Sequence, residues 1–172
     1  GSPYPDFYYG MTNRFSFKSL SLSVSLQGTE GNKVLALERG QSTNNRGRFR
    51  QLSIMNNYWK SEQEPGNNWA PRPNDTPTGN WRGEYSTLWL DDASYLRINN
   101  ISLGYVLPGQ LIQRAKISSA RVYVSSNNPF LITKYVGFNP DISRNSNPLT
   151  PGNANYDYPL AKSVVLGLNL SF

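Results

Sequence analysis

The chain has 172 residues, a formal charge of +6, and neither cysteine nor histidine. This excludes a disulfide framework, thiol chemistry and the commonest base and metal ligand, and the scattered positive charge argues against a nucleic-acid surface. Hydrophobic residues make up only 37%, and no stretch approaches the roughly 18–20 apolar residues of a membrane helix. A β-barrel escapes that last test because every second residue of its strands is polar.

The first informative stretch covers residues 13–27. Phe15 and Phe17 alternate with Ser16, and Leu20, Leu22, Val24 and Leu26 then alternate with Ser21, Ser23, Ser25 and Gln27. The apolar parity switches from odd to even across Lys18-Ser19, which is what a two-residue hairpin does to two strands, here 13–17 and 20–27. From residue 28 to about 85 the alternation dissolves into Asn, Gly, Pro and Arg clusters. Loops of that length are uncommon and usually functional; short helices are expected near 33–38 and 49–59. Trp59, Trp69 and Trp81 lie in or beside this loop with Arg72. Exposed Trp beside Asn and Arg suits carbohydrate or peptide contact, although the commoner role of such residues is to pin an irregular loop to its neighbours.

A third strand is expected over 94–107, with Ile101, Leu103, Tyr105 and Leu107 on one face, opposite Ser102 and Gly104, and with Pro108-Gly109 stopping it. A short connector, 110–118, leads to a strand over 119–135. That strand passes Asn127-Asn128-Pro129, where a kink or bulge is expected because Pro cannot donate to a ladder. A second polar loop, 136–159, precedes the last strand, 161–172. There Val164, Leu166, Leu168, Leu170 and Phe172 share one apolar face. The connections therefore alternate between very short and very long, as in outer-membrane barrels. With the short turns placed in the periplasm, Phe172 lands on the periplasmic side. Tyr95 and Tyr135 are expected near the outer interface and Tyr105 near the inner one.

Catalytic chemistry finds little support. Asp91 and Asp92 are adjacent and would face opposite ways on a strand. Glu62 and Glu64 sit in a Pro/Gly/Asn loop as solvated side chains, and Ser21, Ser23 and Ser25 have no histidine to activate them. Asp75, Asp141 and Asp157 lack calcium-loop spacing. The residues thus point to a protein that is not an enzyme, with no cofactor and no metal. Parity alone leaves two architectures open: an antiparallel transmembrane barrel segment, or a soluble β-sandwich carbohydrate-binding module with the three tryptophans as a sugar platform.

Three phrases then tip the balance. The strand Tyr95-Leu96-Arg97-Ile98-Asn99-Asn100-Ile101-Ser102-Leu103-Gly104-Tyr105-Val106-Leu107-Pro108 resembles a strand near the C-terminus of SusC/RagA-type TonB-linked outer-membrane transporters. Arg121-Val122-Tyr123-Val124-Ser125, with Thr133-Lys134-Tyr135 and Gly137-Phe138-Asn139-Pro140-Asp141, resembles the next one. Pro3-Tyr4-Pro5-Asp6-Phe7 with Asn13-Arg14-Phe15-Ser16-Phe17-Lys18 is similar to the family's preceding hairpin. The likeness runs from the first residues to the last and is weakest across 28–85. Gly167, Leu170 and Phe172 also fall on the positions of the barrel-assembly signal, polar-x-Gly-x-x-hydrophobic-x-aromatic, with Val165 standing where a polar residue is usual.

The resemblance implies that residues 1–172 are the C-terminal portion of a TonB-dependent receptor barrel of about 22 strands. About five of those strands lie here, without the plug or the earlier strands. Phe172 is expected to be a true C-terminus and Gly1 not a true beginning. The implied setting is the Gram-negative outer membrane, with outer-membrane lipid around the strands and the barrel-assembly machinery recognising the last of them. A SusD-like surface lipoprotein would lid the lumen, and the TonB complex would act through the plug. The implied cargo is an oligosaccharide or peptide, touched by loop residues among which Trp59, Trp69, Arg72 and Trp81 stand out.

Overall fold

A computed structural model describes residues 1–37, 53–68, 70, 87–112, 116–141, 151–154 and 158–172. Five long strands form one antiparallel sheet: β1 (Phe7–Phe17), β2 (Leu20–Glu30), β5 (Tyr95–Val106), β6 (Ser119–Thr133) and β8 (Ser163–Ser171), in the spatial order β1-β2-β5-β6-β8. Three short strands, β3 (Lys33–Ala36), β4 (Leu90–Asp92) and β7 (Asn153–Ala154), make a second sheet in which β3 is central, antiparallel to β4 and parallel to β7. A four-residue helix, α1 (Gly109–Ile112), lies between β5 and β6. The five long strands stand where the alternation put them, although β1 begins earlier, at Phe7.

Their lengths carry weight. They run 11, 11, 12, 15 and 9 residues, against a common length of about 5–6 in globular sheets. About 9–11 tilted residues suffice to cross a bilayer.

The register aligns the two parities across the whole sheet. Phe15, Leu22, Leu103, Val124 and Leu166 form one continuous rung of the apolar face. One residue along, Arg14, Ser23, Ser102, Ser125 and Val165 form a rung of the other, mainly polar face. At the hairpin end, the two-residue turn is completed by Lys18 in the left-handed region, at φ 52°.

The pattern needs a correction in its middle. Beyond Asn100 an unbroken alternation on β5 would turn Arg97 and Tyr95 to the apolar face. Instead Asn99 is an extra residue between the pairs Ser25↔Asn100 and Leu26↔Ile98, and opposite it β6 inserts both Asn128 and Pro129. This double bulge restores phase, so Leu26, Ile98 and Phe130 continue the apolar face while Gln27 and Arg97 continue the polar one. Asn128 takes the left-handed conformation at φ 50°, and Pro129 sits where no ladder donor is needed.

The apolar face is bare. Phe15, Phe130, Ile132, Val164, Leu166 and Leu168 are all more than half exposed, and among the described residues no second sheet lies on it. A soluble sandwich would bury this face against a partner sheet about 10 Å away, so the sandwich reading fails. The buried apolar cluster, Val34, Ala36, Ala93, Tyr135 and Ala154, sits instead under the small sheet at the loop end.

Two further expectations change. Residues 33–36 form a strand, not a helix, because Val34 and Ala36 are buried while Lys33 and Leu35 are half-exposed, a period of two. Of the helix expected over 49–59, the described part is a five-residue 3-10 turn, Ser53–Asn57. No described helix is long and apolar enough to cross a membrane, which says nothing about crossing by strands.

Candidate functional site: the polar face and its loop-end collar

The polar face is laced by side chains of neighbouring strands. The hydroxyls of Thr12 and Ser25 lie 3.0 Å apart, and Asn100 Nδ2 donates to Ser125 Oγ at 2.9 Å and to Asn127 Oδ1 at 2.8 Å. Asn127 Nδ2 in turn donates to Ser163 Oγ at 3.1 Å. Nearer the hairpin end, the Arg121 side chain crosses the bare backbone of Gly104 and donates to Ser21 Oγ at 3.2 Å. The Tyr123 ring lies against Gly167, where a Cβ would collide with it. Such a surface satisfies polar groups within itself and can face a wet lumen.

At the loop end, the residues after β6 fold back onto this face. Arg97 is 2% exposed, and its guanidinium reaches Asp141 Oδ2 at 3.1 Å and Asn139 Oδ1 at 2.9 Å. The same guanidinium stacks on the Tyr95 ring, 4.8 Å from its centroid. Asn139 Oδ1 also accepts from the Asp141 N–H at 3.1 Å, which closes the turn Asn139-Pro140-Asp141 on itself. A forked cation, two acceptors and a stacked ring make this the densest charged cluster described in the sheet. Nothing in the spacing announced it. The available signal was a lone Arg97 in a strand free of other charges, together with an Asn-Pro-Asp turn.

The small sheet forms a collar beside this cluster. Lys33 Nζ donates to Asp92 Oδ2 at 2.8 Å, and the Ser94 N–H donates to Asp92 Oδ1 at 2.9 Å. The Lys33 ammonium, followed by the Ser94 donors, holds the Asp92 carboxyl well below the usual carboxylate range. On the apolar side of the collar an open cleft of about 280 Å³ is lined by Tyr9, Leu96 and Ile132, with Glu30, Asp92 and Lys134 at its edge. The Tyr9 hydroxyl spans Gly28 to donate to the Tyr95 carbonyl oxygen at 3.0 Å.

Of the residues singled out in the loops, Trp59 is 39% exposed, and its backbone N–H donates to the Ala70 carbonyl at 3.0 Å. It therefore closes a compact turn that also carries the Lys60–Glu64 ion pair at 3.0 Å. Trp69, Arg72 and Trp81 lie outside the described residues. Gly167, Leu170 and Phe172 all stand on or just beyond β8, with Gly167 on the polar face and Leu170 and Phe172 exposed on the apolar one. Tyr105 is exposed on the apolar face near the hairpin end. Tyr95 and Tyr135 are buried at 6% each, so neither is an interfacial girdle residue; one packs under Arg97 and the other belongs to the collar's core. Among the described residues, no three His, Cys, Asp or Glu side chains gather so as to hold a metal ion.

Comparison with known proteins gives the same picture. No family model matches the chain. A TonB-dependent receptor of Formosa agariphila is 29% identical over 100% of the chain and 17% of its own length. The TonB-dependent receptor SusC of Bacteroides thetaiotaomicron is 29% identical over 99% of the chain and 15% of its own length. Among solved structures, the RagAB peptide transporter superposes with a TM-score of 0.79 at 29% identity, covering 99% of the chain and 18% of that chain. The RagAB peptide importer in its closed-closed state gives 0.78 at 28% identity. The chain thus spans less than a fifth of the length of these relatives. In sequence and in backbone, from one end to the other, it matches a barrel segment of SusC/RagA-type TonB-dependent receptors.

Proposed function

We propose that the chain is the C-terminal stretch of barrel wall in a TonB-dependent transporter that imports oligosaccharides or peptides across the outer membrane. The observation that carries this reading is the sheet itself. Five strands long enough to cross a bilayer leave one apolar face bare over its full width, while the opposite face is hydrogen-bonded within itself. A bilayer supplies the missing apolar partner and a lumen the polar one. The collar then marks the extracellular end and Phe172 the periplasmic end. The likeness to RagAB supports a peptide cargo and a surface lipoprotein of the SusD type as lid; the likeness to SusC supports energy supplied through TonB and a plug. Trp59, with Trp69, Arg72 and Trp81 in the same loop, is assigned to contact with the cargo or the lid. Gly167, Leu170 and Phe172 are assigned to recognition by the barrel-assembly machinery.

The test is uptake. A strain lacking the parent gene, its complemented derivative and a TonB-defective strain receive labelled pools of oligopeptides and of oligosaccharides. Uptake of one pool should require both the gene and TonB, and a lipoprotein should copurify with the parent in detergent. Equal uptake of both pools in all three strains would sink the reading.

A further inference from the structure

We propose that Tyr95, Arg97, Asn139 and Asp141 form a positioning node. It clamps the turn after β6 against the inner wall and so sets the shape of the solute path at the loop end. The inference deepens the transporter reading and rests on it.

Burial of a guanidinium is costly. The Arg97 side chain is 3% exposed and that of Asp141 10%, and a charge taken out of water is tolerated only when paired and fully hydrogen-bonded. Arg97 meets those terms through Asp141, Asn139 and the face of Tyr95. Two of these partners come from the turn rather than from the barrel wall, so the cation is comfortable only while the turn is seated. The wall in turn prepares the cation: Gln27 pairs directly with Arg97 in register, and the Tyr95 ring lies against the guanidinium.

The seated turn has a consequence beyond stability. It covers the polar face at Tyr95 and Arg97 and leaves Phe138, at 60% exposure, and Val136, at 75%, presented from its outer side. A solute entering at this end meets that turn rather than the wall. Forked, two-acceptor geometry belongs to Arg and not to Lys, so seating depends on the identity of the side chain as well as on its charge.

The experiment uses the full-length parent displayed in the outer membrane of intact cells, with Arg97→Leu, Asp141→Leu, the double Leu variant and Arg97→Lys. Tryptic cleavage after Lys134, an exposed residue followed by buried Tyr135, reports on seating. The half-saturation concentration for uptake of the two labelled pools reports on positioning. Each single Leu variant should be cut about tenfold faster and raise half-saturation about tenfold, with maximal uptake per surface copy unchanged, because it strands a buried charge. The double variant should fall closer to the parent than the sum of the singles, and Arg97→Lys should lie between parent and Arg97→Leu. Cleavage and half-saturation equal to the parent in both single variants would overturn the node, as would strict additivity in the double. A parent that carries neither pool defeats the transporter reading instead, while the cleavage rates still decide whether the turn is clamped.

Discussion

A methyl group added at Gly167 would drive into the Tyr123 ring, whereas one added at Gly10 would meet only the Leu26 carbonyl oxygen at 3.7 Å. Overpacking of this kind costs about 1–3 kcal/mol, while a surface change clear of such contacts stays within about 0.5 kcal/mol. Gly167→Ala should therefore lower the urea midpoint of the detergent-folded parent, and Gly10→Ala should leave it nearly unchanged. Gly167 thus has a packing role of its own, separate from any recognition. A second residue-scale prediction concerns Asp92. Its carboxyl lies below the ordinary value of 3.8, so the Lys33 pair stabilises the collar above that pH and the contribution fades as pH falls below it. The side chains are 36% and 40% exposed, which limits the effect to about 1 kcal/mol or less. Asp92→Asn should flatten this part of the acid limb in unfolding curves measured between neutral pH and pH 2.

Among the elements, the long strands were legible because their alternation persists for many residues and, in β1 and β2, changes parity at a two-residue turn. The collar was not. Strands of four, three and two residues carry too few side chains for a period to show, and β3 depends on partners more than fifty residues away in sequence. Likewise Tyr95 and Tyr135 suggested a girdle by residue type, but their burial follows from a bulge and a returning turn, which alternation does not encode. The bulge itself was visible on β6 as Asn127-Asn128-Pro129, yet its counterpart at Asn99 was not. Asn128→Val, a β-branched residue forced to φ 50°, should cost about 1–3 kcal/mol. Asn128→Gly should cost less despite losing the 3.1 Å bond from Asn128 Nδ2 to the Ala161 carbonyl. Unfolding of the detergent-folded parent compares the two.

On the scale of the whole molecule, the sheet has two faces, but its buried apolar cluster lies under the collar at one end. The strands are therefore held by their ladder and by whatever covers Phe15, Leu22, Leu103, Val124 and Leu166. In a bilayer, an arginine on the lipid side costs about 2–4 kcal/mol at mid-depth. Leu103→Arg should sharply reduce the heat-modifiable, folded fraction of the parent in outer membranes. Ser102→Arg, one residue along on the polar face, should reduce it far less. Equal losses would contradict the assignment of faces. The general class and the assignment of faces could be read from the sequence because lipid and water impose a simple two-colour code. The charged node could not, since Arg97 finds its partners 42 and 44 residues away.

The extra residue at Asn99 also says something about how such a wall can change over time. Side chains in a strand are read in twos, so one residue inserted into the ladder acts like a frameshift and turns everything beyond it inside out, unless a bulge sets it aside. Relative to β2, strand β5 carries one extra residue at this rung and β6 carries two. The bulge sets Asn99 aside, so the outer stretch of β5 keeps its frame and Arg97 stays on the polar face opposite Gln27; the pair in β6 likewise leaves Phe130 opposite Ile98 on the apolar face. Removal of Asn99 alone would leave Ile98 opposite Leu26 and Arg97 opposite Gln27, whereas forcing Asn99 into the ladder would carry Arg97 and Tyr95 to the apolar face. A wall of this kind can therefore gain or lose a single residue where a bulge absorbs it, and nowhere else without turning side chains over.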